Sequence, residues 1–161
     1  MCAAVVSLFV ENESITLTKQ GDWLSNGELI THERTVRLFF RSIVLEDGHY
    51  YLRVGQKQAQ ERREITVEDT PAFVSAITGD PSTGFTLRLL GQTESDESLT
   101  LEPLRLRYEN SRLTYHLPSG LIAKFLTQPY YELLNQVSEQ NGKYFLQIIG
   151  NFVEISDDSV K

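Results

Sequence analysis

The apolar residues of this chain come mostly in short alternating runs, each cut off within a few positions by turn-forming residues. That pattern leaves few folds open. Alternation with period two puts apolar side chains on one face of a strand, and frequent turns send the chain back antiparallel. Ser14–Thr18 alternates Ile15 and Leu17 with polar neighbours, turn residues follow at Gln20–Asp22, and Trp23-Leu24 leads into Asn26-Gly27. Asn-Gly is the strongest short hairpin signal, because both residues tolerate the positive φ of a tight turn. Further strands are predicted at Tyr50–Val54, Glu64–Val67, Ala72–Ile77, Phe85–Leu90 and Leu99–Leu101. Pro71 separates Glu64–Val67 from Ala72–Ile77, since proline cannot donate to a central ladder. Leu104–Tyr108 and Leu113–Leu117 form a predicted hairpin across Glu109–Ser111. Leu104, Leu106, Leu113, Tyr115 and Leu117 share one face of it, and Arg105, Arg107, Thr114 and His116 the other. Tyr144–Ile149 and Phe152–Ile155 close the chain as a hairpin turned at Gly150-Asn151.

In two places the period changes. Val36, Phe39, Phe40, Ile43 and Val44 recur at helical spacing. They predict a helix of about fourteen residues, within the usual range, with Thr31 as N-cap, Glu33 in the first turn and Asp47-Gly48 closing the segment. A second helix is predicted over Gly120–Ser138, its stripe formed by Ile122, Phe125, Leu126, Tyr130, Leu133, Leu134 and Val137. Pro129 either kinks it or stands in the first turn of the second of two helices, and Asn141-Gly142 caps it. The expected class is α+β: mostly antiparallel short strands with two amphipathic helices. Residues 1–13 read as an extension and 158–161 as a tail. Between them, 14–157 form one domain, or two packed lobes dividing near 64–85.

Charge and cysteine usage narrow the function classes. Fifteen Lys and Arg against 22 Asp and Glu give a net charge of −7. Nucleic-acid binding draws most of its affinity from cations on phosphates, so this chain argues against it, and against anionic membrane surfaces. Cys2 is the one cysteine, which excludes an intrachain disulfide and any multi-thiolate metal site and fits a reduced cytoplasmic compartment. The opening MCAAVVSLFV lacks a basic residue and a cleavage site, so it reads as a strand or helix packing on the body rather than a signal peptide. No apolar run reaches the ~20 residues that span a bilayer.

Familiar catalytic spacings fail one by one. His32-Glu33 opens like a zincin helix, but Val36 stands where the second histidine belongs. The three histidines, His32, His49 and His116, fall on different elements. Gly79 and Gly84 have phosphate-loop spacing, yet Phe85-Thr86 follows in place of Lys-Ser/Thr, and a hairpin loop explains them better. There is no dinucleotide fingerprint and no nucleophile elbow. No catalytic, metal or cofactor site is therefore expected from motif. Two places remain as candidate binding sites. Glu68-Asp69 lies between apolar strands; the plain reading has Asp69 accepting backbone N–H groups ahead of Pro71 and Glu68 pairing with an arginine. The Arg105/Arg107/His116 face, with Arg112 near its turn, could meet an acidic ligand or partner, against the plain reading of a solvated sheet face. Trp23, Tyr50, Tyr51, Tyr130 and Tyr131 line a pocket on one reading and fill or edge a core on the other.

Several segments together resemble the bacterial domain-of-unknown-function 1285 family. They are Gly21-Asp22-Trp23 through Phe39-Phe40, Asp47-Gly48-His49-Tyr50-Tyr51-Leu52, and above all Ile65-Thr66-Val67-Glu68-Asp69-Thr70-Pro71. Gly120-Leu121-Ile122-Ala123 leading to Tyr130-Tyr131-Glu132-Leu133, and the ending Gly150–Ile155, also fit. After the proline this chain has Ala72 and then Phe73, where that family usually has phenylalanine at once. The resemblance implies an antiparallel, β-roll-like α+β fold and carries no activity. Two functional readings follow. One is a non-catalytic cytosolic domain that binds a small ligand or protein partner. The other is an enzyme with a site assembled from Glu68, Asp69, Arg105 and His116. A homo-oligomer paired through a strand edge is a third possibility.

Overall fold

The structure, a computed structural model, describes residues 12–55, 60–93, 95–96 and 98–155. The opening apolar stretch with Cys2, residues Glu94 and Glu97 of the acidic loop, and the Asp157-Asp158 tail lie outside the described residues. Contacts divide the chain into two compact units, Met1–Pro71 and Ala72–Lys161.

In the first unit, β1 (Ile15–Leu17), β2 (Trp23–Ser25) and β3 (Glu28–Leu29) form a meander. Asn26-Gly27 makes the turn between β2 and β3, with φ of 49° and 83°. The helix α1 (Glu33–Ser42) follows, then β4 (Ile43–Glu46), β5 (His49–Val54), β6 (Glu61–Glu64) and β7 (Thr66–Val67). Two sheets result, ordered β3-β2-β1-β7 and β4-β5-β6, with β7 parallel to β1. The helix is shorter than its spacing predicts. Its N-cap is His32, not Thr31, and the imidazole Nδ1 accepts the Thr35 N–H at 3.3 Å. At Ile43 the backbone turns extended, with φ −71° and ψ 128°. Ile43 and Val44 then pair across β5 with Leu52 and Tyr51. Asp47-Gly48, with φ of 50° and 79°, is therefore a two-residue hairpin turn rather than a helix end. Trp23 is 1% exposed, and Phe39 and Phe40 of α1 meet its ring edge-on at 5.3 and 5.4 Å.

The second unit opens with β8 (Ala72–Asp80), β9 (Gly84–Leu89) and β10 (Leu99–Thr100). A 3-10 turn (Pro103–Arg105) leads into β11 (Leu106–Glu109), β12 (Arg112–His116) and β13 (Ile122–Phe125). These strands make one six-stranded sheet, ordered β10-β9-β8-β13-β12-β11 and antiparallel except where β13 meets β8. Next come α2 (Thr127–Leu134) and the meander β14 (Val137–Gln140), β15 (Lys143–Ile148) and β16 (Asn151–Glu154). Val74, Phe85, Leu87, Leu113, Tyr115 and Phe125 of the sheet pack with Leu133 of α2 and Leu146 and Ile148 of β15 in one core.

Here too a predicted helix is corrected. Of Gly120–Ser138 only Thr127–Leu134 is helical, with Pro129 in its first turn, where a missing N–H costs nothing. Ile122–Phe125 pairs with β12 and β8, and alternation buries Ala123 and Phe125. Val137-Ser138 begins β14, so Asn141-Gly142 turns a hairpin instead of capping a helix. The closing turn is Ile149-Gly150, one residue earlier than predicted. Leu104, placed by alternation on one face with Leu106, Leu113, Tyr115 and Leu117, stands in the 3-10 turn and is 85% exposed.

Candidate functional site

Glu68 and Asp69 follow β7 in the first unit, and both are exposed. The Glu68 N–H donates to the Leu17 carbonyl at 3.0 Å, extending the parallel β1–β7 ladder by one bond. Its carboxylate Oε1 accepts the Lys19 N–H, also at 3.0 Å. Glu68 thus holds the loop after β1, in place of the arginine pairing read from sequence.

Arg105, Arg107 and His116 belong to the second unit, on the β11–β12 hairpin and the turn before it. Arg105 donates from Nε to Glu102 Oε2 at 2.5 Å and from Nη1 to the His116 carbonyl at 3.4 Å, so it staples the 3-10 turn to β12. Arg107 on β11 donates from one Nη1 to the carbonyls of Leu104 and Leu106, the latter at 3.2 Å. His116 pairs with Ile122 across β13 and is half-buried. Arg105 and His116 therefore meet, through the histidine's backbone oxygen. The other two histidines have local roles: His32 caps α1, and His49 Nδ1 lies 2.9 Å from Glu64 Oε1 across β5–β6.

Of the sequence candidates, Arg107 lines a concavity. A groove of about 560 Å³ lies between the 3-10 turn with the start of β11 on one side and β16 on the other. Pro103, Leu104, Leu106 and Arg107 form one wall, and Asn151, Phe152, Val153 and Glu154 the other. Leu104 and Phe152, at 85% and 55% exposure, are large apolar side chains left open to solvent on opposite walls. Alternation hid both from the sequence reading. Alternation puts Leu104 on one face with Leu106 and Leu113, and Phe152 in a closing hairpin. The proline at 103, which starts a 3-10 turn and breaks the alternation before β11, is the signal that could have exposed Leu104.

A second concavity, about 340 Å³, mixes apolar Ala76 and Leu87 with Thr78, Thr86, Arg88 and Asp96 in its lining. Among the described residues no group of three or more His, Cys, Asp or Glu could hold a metal ion. No helix among them is long and apolar enough to cross a membrane.

No protein-family model matches the sequence, and no curated protein matches it. Two solved structures do match. One is a DUF1285 family protein from Silicibacter pomeroyi DSS-3, 18% identical, with a TM-score of 0.69 over 91% of this chain and 81% of that one. The other is a DUF1285 family protein from Shewanella baltica OS155, 19% identical, with a TM-score of 0.60 over 78% of this chain and 94% of that one. At these identities the likeness is one of fold, and the resemblance read from the sequence holds at that level: the chain has a DUF1285-like fold.

Proposed function

We propose that this chain is a non-catalytic binding domain that recognises a protein partner through the groove between the 3-10 turn and β16. The observation that carries this reading is the facing pair Leu104 and Phe152, large apolar side chains exposed on opposite walls of one groove. An exposed apolar patch rimmed by polar groups, here Arg107 and Glu154, is the usual mark of an interaction site. The residues of the enzyme reading support the same choice, since Glu68 and Arg105 spend their polar atoms on local backbone and on Glu102. The single Cys2 and the bacterial sources of the two matching structures fit a reducing bacterial cytoplasm as the setting.

The test is a thermal-shift screen of peptides and metabolites against the chain and against a Leu104→Ser/Phe152→Ser double variant. Both positions are exposed, so the variant keeps its fold. A ligand at a hundred times its Kd stabilises by about 2.7 kcal/mol, well within reach of the method. Peptide hits that stabilise the parent chain and not the variant support the groove. Hits that ignore both substitutions, or metabolite hits alone, sink it.

A further inference from the structure

From the hydrogen-bond phase of the hairpins we infer that the groove partner is an extended peptide that adds to β16 as a new antiparallel or parallel strand. This deepens the reading of the groove as a protein-binding site and rests on it. In an antiparallel pair the residues alternate between those that exchange both backbone bonds with the neighbour and those whose N–H and C=O point away. The two-residue Ile149-Gly150 turn makes Ile148 and Asn151 a bonded pair. Counting outward, Leu146–Val153 is bonded, and so is the next pair, where the Ile155 N–H donates to the Tyr144 carbonyl at 2.7 Å. Phe152 and Glu154 fall between, so their N–H and C=O groups face away from β15. β16 is also the edge of its sheet.

All four consecutive residues of β16 line the groove. Consecutive strand side chains point to opposite faces, so a cavity touching all four sees the strand edge-on. The facing wall is different. Leu106 gives its N–H to the Pro103 carbonyl, and its own carbonyl, like that of Leu104, is taken by the Arg107 guanidinium. A charged side chain has thus closed the β11 edge at that point, a common way of blunting an edge strand. The β16 edge across the groove has no such cover among the described residues.

The sheet edge of a second copy would bring its neighbouring strands against the turn bearing Leu104. Backbone pairing sets the affinity of strand addition, and side-chain pockets at alternate positions set its specificity. Phe152 and Glu154 stand two residues apart on one face of β16, so the peptide side chain opposite Phe152 is apolar and the one two positions along, opposite Glu154, is lysine or arginine, which the net charge of −7 also favours. The ligand class is an extended segment with an apolar and a basic residue two positions apart.

The experiment uses the full chain and a pool of capped hexapeptides in which Lys stands two positions from a Val, Ile, Leu, Phe or Tyr. Amide exchange and chemical shifts are read residue by residue. We expect the pool to slow exchange at the Phe152 and Glu154 amides and leave those of Leu146 and Ile148 unchanged. N-methylation of the peptide at alternate residues should weaken binding about tenfold, as loss of a backbone bond or two implies. Glu154→Pro should do the same, since it removes an outward N–H that β15 does not use; Glu154→Gln keeps that N–H and should lose less. Binding that is sensitive to Leu104 and Phe152 but indifferent to N-methylation would overturn strand addition and leave the groove reading intact. No protection from any peptide of the pool overturns the strand proposal, and edge amides protected with rising protein concentration alone would assign the edge to a second copy.

Discussion

Tyr115 shows how much a single buried polar group can carry. Its side chain is fully buried, yet its hydroxyl accepts the Glu102 N–H at 2.9 Å and donates to the Thr100 carbonyl at 3.2 Å. It thereby ties β12 to the segment that runs from β10 into the 3-10 turn, and so fixes one wall of the groove. Tyr115→Phe leaves both backbone groups without their partner, at a cost of about 1–3 kcal/mol. Burial pushes the phenol above its ordinary value of 10.0, with the Glu102 amide bond pulling the other way. Burial likewise raises Tyr130, with a further push from Tyr108. A raised folded value means that the stability of the neutral form is fully present below the unfolded pKa and is lost as pH climbs through the folded one. Urea denaturation should therefore show a stability that is level around pH 8 and falls above about pH 10. In Tyr115→Phe the curve starts lower and its alkaline slope is shallower, Tyr130 supplying what remains. An unchanged slope in the variant would show that Tyr115 ionises as easily folded as unfolded.

Elements were legible in the sequence wherever a turn pair and an alternating run agreed. β1, β2, β5 and β9 lie close to where alternation puts them, and Asn26-Gly27 turns as its residues require. Asp47-Gly48 and Asn141-Gly142 carried the same signal but were read as helix ends, because the apolar spacing before each mimicked a helix. Ile43 and Val44 continue the stripe of Phe39 and Phe40, and only pairing with Leu52 and Tyr51 makes them strand. Ile122, Phe125 and Leu126 were ambiguous in the same way, since a short apolar segment satisfies both periods and its neighbours decide. Arg107 was legible as a polar strand residue. The groove was not, since it depends on which backbone groups a hairpin leaves unused. The β8–β9 hairpin gives a test at this scale. Asp80 Oδ1 accepts from the Ser82 and Thr83 N–H groups at 2.8 and 2.9 Å and from the Ser82 hydroxyl at 2.6 Å, bonds that lower its pKa to about 2. Beside it, Gly79 has φ of 111°, and a Cβ there would lie 2.0 Å from the Gly84 carbonyl oxygen. Gly142 is also at positive φ, 79°, but its Cβ would meet open space. Gly142→Ala should cost about 1–2 kcal/mol, the left-handed penalty alone. Gly79→Ala adds a backbone collision and should cost more, about 3 kcal/mol or above. Thermal melts of the two variants check the order, and equal losses would show that the hairpin yields freely at Gly79.

At the scale of the molecule, the division at Pro71 has a thermodynamic consequence. Every member of the core described for the second unit falls between Ala72 and Ile155, from strands β8 to β16 and the helix between them. Its sheet, its helix and its closing meander thus share one core within the unit, to which the buried Phe73 of β8 does not belong. A segment of this size with a core of its own is long enough to fold without a disulfide or metal. Pro71 also suits a boundary, because it restricts the residue before it and cannot join the β8 ladder. We expect the fragment 72–161 to unfold cooperatively in urea by itself, with coincident transitions in far-ultraviolet dichroism and tyrosine fluorescence. Its slope should be about 1–2 kcal/mol/M, as for other small domains. The groove lies wholly within this unit, so the fragment should also keep the peptide binding proposed for the full chain. A fragment that is unfolded by both probes would mean that the core closes only when residues of Met1–Pro71 are present, and the division would then describe contacts without describing a folding unit. A fragment that folds but loses the exchange protection at Phe152 and Glu154 would place part of the binding surface outside the second unit.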